Sequence, residues 1–139
     1  MDERSQEWKF SKHALQKHIN FIGRLNSNQL LEFYESLDVY VSTSLSDGGI
    51  ASSTAEAMLC QRPAIITNAA ENGFWIEDQV NGRLFDCSDH INLSKIINNL
   101  LDNKSDALKL GEKGQETIIS RNSYKNEMTK MINIYKSCI

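Results

Sequence analysis

Apolar and polar positions alternate between two periods along this chain, and the changes of period divide it into short strands and longer helices. Ile19 to Ile22, Asp38 to Thr43, Ala64 to Thr67 and Arg83 to Phe85 are short runs rich in β-branched or aromatic residues, which predict buried strands. Between them the spacing becomes helical. Leu30, Leu31, Tyr34 and Leu37 share one face, with Asn26 placed to cap that helix and Gln29 in the reciprocal position. A weaker helical pattern runs from about Arg4 to Lys17, and a helix through Glu56 follows the paired glycines Gly48 and Gly49. After Phe85 the chain is helical. Leu93, Ile96, Ile97, Leu100 and Leu101 form a stripe behind Asp89, which is placed as a cap or a first-turn acid, a further helix covers about Ser105 to Ser120, and Tyr124, Met128, Met131, Ile132 and Tyr135 repeat the pattern. The last stripe is expected to lie against the sheet or the preceding helices. Alternation of strand and helix predicts an α/β fold, a Rossmann-like parallel sheet of about four strands with helices on both faces and a helical C-terminal end.

The stretch from Ser42 to Thr67 carries the most chemistry. It reads as strand end, glycine turn, acid-bearing helix and next strand. Glycines at the turn let the backbone bend sharply, and a helix that starts there leaves amide N–H groups without partners. Such amides suit a phosphate. In an open α/β sheet ligands lie beyond the carboxyl ends of the strands, so Gly23, Arg24 and Leu25, the turn from Asp47 to Ala51, and Glu56 fall on one rim.

The same residues carry a resemblance. Glu56-Ala57-Met58, Arg62-Pro63-Ala64-Ile65-Ile66-Thr67, the run from Ile19 to Leu25 and Asn81 to Phe85 resemble, in order, motifs of the family 4 glycosyltransferases of GT-B fold. The similarity spans about His13 to Tyr135, and residues 1–139 are read as one partial domain, the donor-binding C-terminal part. It implies transfer of a sugar from a nucleotide sugar to a sugar or lipid-linked acceptor, in glycan, polysaccharide or glycolipid synthesis, with retention of configuration. The acceptor would be bound through an N-terminal domain absent from this sequence. Isolated, the chain is expected to be inactive; a non-catalytic subunit of a split enzyme and an inactive remnant are the alternatives.

By the resemblance, Glu56 accepts hydrogen bonds from the ribose, the amides of Gly48, Gly49, Ile50 and Ala51 hold the diphosphate, Ser52 or Ser53 adds a hydroxyl donor, and backbone at Gly23, Arg24 and Leu25 meets the base. The family places two Glu residues with seven between them, which would put the first at Gly48. Asp47 stands nine positions before Glu56 and is either a helix cap or the sugar contact. If the family's strand order holds, the strand ending at Gly23 lacks the two strands that would separate it from the Asp38 strand. It is therefore expected either to pair directly with that strand or to join another chain, the second alternative being self-association through an exposed sheet edge.

Composition narrows the alternatives. With 139 residues, 40% hydrophobic content and a formal charge of −3, the chain can bury a core but offers no basic stripe for nucleic acid. Cys60, Cys87 and Cys138 follow no metal or disulfide spacing and read as reduced thiols, with Cys60 a small core residue. No Asp-x-Asp pair occurs and His13, His18 and His90 are badly spaced for a metal, so no metal cofactor is expected. No apolar run approaches the roughly 18 residues a membrane helix needs. The expected location is cytoplasmic, with peripheral association at the inner membrane face left open.

Overall fold

The computed structural model describes residues 17–46 and 49–138. The chain divides into two compact units, Met1–Leu30 and Leu31–Ile139. The described part of the first unit begins with a turn and runs without regular structure to the start of helix α1 (Ser27–Ser36). Gly23 has φ +74°, which an L side chain rarely adopts. The predicted capping box forms: the Asn26 amide donates to Gln29 Oε1 and the Gln29 amide to Asn26 Oδ1, each at 3.0 Å.

No strand forms at Ile19 to Ile22, which corrects the expectation of a fourth strand and of its pairing beside Asp38. Its apolar side chains are uncovered, Phe21 being 93% exposed. A strand needs a neighbour for its backbone groups, and the two strands expected between this segment and Asp38 have no counterpart in the sequence. The expected helix from Arg4 lies outside the described residues, apart from Lys17, which is in a turn.

In the second unit β1 (Tyr40–Ser42), β2 (Ala64–Thr67) and β3 (Arg83–Phe85) form a parallel sheet in sequence order. The register pairs Val41 with Ile65 and Ile66 with Leu84. β2 is the middle strand and all four of its residues are buried, as a β-branched run covered on both faces should be. Ala64 and Ile66 meet Met58, Ile76 and Ile118 on one face; Ile65 meets Phe85, Ile96, Leu100 and Leu110 on the other. Those partners come from β3, α2 (Ser52–Leu59), the segment after the one-turn α3 (Asn72–Trp75), α4 (His90–Asp102) and α5 (Lys104–Arg121). The α5 helix supplies both Leu110 and Ile118 and so reaches both layers.

Local chemistry fixes the connections. Asp89 caps α4 by accepting from the Asn92 amide at 2.9 Å. The α2 helix ends in a Schellman turn: the Arg62 amide donates to Ala57 O and the Gln61 amide to Met58 O, both at 3.0 Å, with Gln61 at φ +57°. Arg62 then donates from Nη1 to Leu37 O at 3.0 Å, placing a cation just past the end of α1. The α5 helix approaches this turn through Gly111, where a Cβ would lie 2.0 Å from Gln61 O. Asn81 closes the corner before β3. It accepts from the Glu77 amide at 2.8 Å and donates to Trp75 O and Thr117 Oγ1 at 3.1 and 3.0 Å.

The last helix, α6 (Tyr124–Ser137), forms as expected but contributes no buried residue. Met131, Ile132 and Tyr135 are exposed, so the expected packing of this stripe on the sheet or helices is corrected. Its spacing identified an apolar face, of which Met128 is half-buried and the rest exposed. Cys60 is the half-buried C-cap of α2 rather than a core residue. Burial, with a smaller contribution from Glu35, holds its thiol above the usual range.

Candidate functional site

The site is assembled where β1 gives way to α2. Parallel pairing brings the carboxyl ends of all three strands to one rim, and the turn leaving β1 crosses it. The Thr67 hydroxyl at the end of β2 donates to Ser44 O, tying this turn to the middle strand. Asn72 Nδ2 donates to Thr67 O at 2.9 Å, and the Asn68 amide to Phe85 O at 2.7 Å. Strand ends and loops are thereby stitched together.

Gly49 has φ +128°, a backbone state that requires glycine. The chain enters α2 through Ala51, whose extended backbone (φ −60°, ψ 139°) is that of an N-cap and whose methyl group cannot cap. The first helical bond is Ala55 N to Ala51 O at 3.0 Å. Among the described residues, the amides of Ile50, Ala51, Ser52, Ser53 and Thr54 have no acceptor. A helix start of this kind carries partial positive charge and free donors.

Ser52, Ser53 and Glu56 stand three and four residues apart on α2 and therefore share a face. Ser53 and Glu56 are half-buried, and each is held by a tyrosine. The Tyr34 hydroxyl donates to Glu56 Oε2 at 3.0 Å, and the Tyr40 hydroxyl to Ser53 Oγ at 2.9 Å. The buried Thr54 hydroxyl faces Tyr40 Oη at 3.5 Å, and the two tyrosine rings lie 6.3 Å apart. Burial first, and then the bond to Glu56, raise the pKa of Tyr34 far above the usual tyrosine range, so it stays a donor. Ser53 Oγ accepts from Tyr40, which leaves its own proton to donate elsewhere.

Of the residues read from the sequence, the fold brings Gly49, Ile50, Ala51, Ser52, Ser53 and Glu56 onto one turn and helix. Asp47 and Gly48 lie outside the described residues. Gly23, Arg24 and Leu25 belong to the first unit, where Arg24 is exposed. A cavity of about 290 Å³ also opens at the strand ends, lined mainly by Leu45, Thr67, Phe85 and Leu93, and touches neither Glu56 nor residues 50–53. Among the described residues, no three of His, Cys, Asp or Glu come together as metal ligands. Tyr34 and Tyr40 were missed as site residues. The available signal was a tyrosine on each apolar face where leucine or valine would fill the space, since a buried hydroxyl needs a partner.

Residues 2–117 match the family described as glycosyl transferases group 1. The chain belongs to that family. An uncharacterized glycosyltransferase of Methanocaldococcus jannaschii is 29% identical over 99 residues, covering 71% of this chain and 28% of the relative. Among solved structures, Anabaena HepE in complex with UDP-glucose superposes with a TM-score of 0.84 at 19% identity, over 96% of this chain and 36% of that one. Sucrose-phosphate synthase from Thermosynechococcus elongatus gives 0.86 at 22%, over 97% and 34%. The likeness establishes the Rossmann-like fold of GT-B glycosyltransferases, and this glycosyltransferase chain spans about a third of the length of those proteins. No described helix is long and apolar enough to cross a membrane.

Proposed function

We propose that this chain is the C-terminal, donor-binding part of a retaining glycosyltransferase, and that the turn into α2 holds the diphosphate of a nucleotide sugar. The observation that carries this reading is the run of amides from Ile50 to Thr54, which have no acceptor among the described residues, at a helix start whose N-cap, Ala51, offers no side-chain cap, one turn before a carboxylate on the same face. The amides and the Ser53 hydroxyl take the diphosphate, Glu56 takes the ribose hydroxyls, and Asp47 is the sugar contact. The Anabaena protein has been solved in complex with UDP-glucose and with UDP, which supports a nucleotide sugar here.

Chemically, the turn stabilises a leaving nucleoside diphosphate as charge develops on it. Donors fixed in advance need no rearrangement when the glycosidic bond breaks. No protein nucleophile is required in this scheme. The acceptor sugar or lipid-linked sugar binds on an N-terminal domain, and the complete enzyme works in the cytoplasm. A helix start supplies at most about 2 kcal/mol, whereas even millimolar affinity needs about 4. Binding by this chain alone is therefore weak.

An NMR titration of the chain with UDP, GDP and ADP tests the site. Shifts concentrated at residues 49–56, and reduced by Glu56→Ala, are expected. Shifts elsewhere, with that turn unmoved, would overturn the assignment.

A further inference from the structure

Glu56 does not face its surroundings with both oxygens equivalent. Tyr34, 5% exposed, donates to Oε2 at 3.0 Å, and Oε1 has no partner among the described residues. The terminal torsion of a glutamate is broad, so an isolated carboxylate on a helix surface samples many orientations. A donor on a buried ring removes that freedom. Tyr34 is itself fixed, with its ring 5.6 Å from Phe33 and 6.3 Å from Tyr40, and Tyr40 bonds Ser53 on the same face of α2. Two neighbouring rings, one on α1 and one on β1, thus end on the two half-buried polar residues of that face.

We infer that Tyr34 is a positioning residue that selects for ribose: by occupying Oε2 it turns Glu56 so that Oε1 is presented to the vicinal hydroxyls of the donor. The inference rests on the reading of Glu56 as the ribose contact and adds to it the group that aims the carboxylate. Tyr34 does not touch the donor. Its removal leaves Glu56 in place but free to rotate, so the affinity lost is only that which depends on the two hydroxyls.

The test uses the 139-residue chain with UDP and 2′,3′-dideoxy-UDP, and the guanine and adenine pairs in parallel, followed by NMR. The wild type should prefer the ribose form by about tenfold, the discrimination expected for one charge-assisted hydrogen bond. Tyr34→Phe should weaken ribose binding roughly fivefold, leave the dideoxy form unchanged, and bring the ratio close to that of Glu56→Ala. Equal weakening of both ligands, or an unchanged ratio in Tyr34→Phe with the ratio lost in Glu56→Ala, overturns the positioning role and leaves the ribose reading standing. A ratio unchanged in Glu56→Ala, or no preference or no binding in the wild type, overturns both. Should Tyr34→Phe fail to fold, the wild-type Tyr34 hydroxyl proton gives the second readout. It should shift with UDP and not with the dideoxy form, and identical responses refute the inference.

Discussion

Replacing Gly111 by alanine should destabilise residues 31–139, although helix propensity alone predicts the opposite. Gly111 lies within α5, where exchange of glycine for alanine gains about 1 kcal/mol. The added Cβ, however, would stand 2.0 Å from Gln61 O and 2.7 Å from Gln61 C, both backbone atoms. Relief to about 3 Å requires roughly 1 Å of helix displacement, and a gap of that size forfeits a quarter to a half of each neighbouring dispersion contact. The helix cannot move alone, because Gly114 rests near Asn81 O and Met58 on the same side and Leu110 and Ile118 are buried in opposite layers. Overpacking costs typically about 1–3 kcal/mol, and contact with rigid backbone puts this site at the upper end, so after the propensity gain a net loss of about 2 kcal/mol is expected. Urea unfolding followed by circular dichroism should show a lower midpoint at unchanged slope. Gly73→Ala, whose Cβ would meet nothing closer than Asn68 Oδ1 at 3.9 Å, should be neutral or mildly stabilising. A Gly111→Ala protein as stable as wild type would show that α5 does not sit on the Schellman turn as described.

Three further outcomes follow from particular contacts. Asn81→Ala removes the partner of the Glu77 amide, Trp75 O and Thr117 Oγ1, and should cost about 2–4 kcal/mol in urea unfolding; a loss under about 1 would mean water replaces those bonds. Gln61→Gly relieves a left-handed residue worth about 1–2 kcal/mol but loses the bond to Gln115 Oε1, so a net gain near 0.5 kcal/mol is expected, read as a higher urea midpoint. Asp78 is pushed upward by burial but more strongly downward by the Leu84 amide and Arg83, leaving its pKa lowered. It therefore contributes stability above the unfolded value of about 3.9, lost as pH falls through the folded value. Asp78→Asn should flatten the acid limb of stability against pH, and an unchanged limb refutes it.

Sequence reading located what local chemistry determines. β2 and β3 begin and end where their β-branched and aromatic runs predict, and Asn26 and Asp89 cap their helices as expected, because strand propensity and caps act within a few residues. What depends on distant cover was not legible. Among the described residues, Ile19 to Ile22 has strand composition but no strand partner, and the α6 stripe has helical spacing but no buried side chain. β1 is shorter than its run, with Asp38 exposed and Val39 half-buried before the first pairing at Tyr40. In the candidate site, the placing of Gly49 at a turn and Glu56 on the helix after it was readable from their order along the chain. The tyrosines that hold Ser53 and Glu56 were not, since Tyr34 comes from 22 residues away and only the folded helices bring it to the carboxylate.

The reach of α5 into both layers has a mechanical meaning. One rod anchors Ile118 on the side of α2 and Leu110 on the side of α4. Neither side of the sheet can then be peeled off while the other survives, so heat or urea should dissolve β1 to α5 in one step. A ligand that steadies the start of α2 should therefore slow solvent exchange in α4.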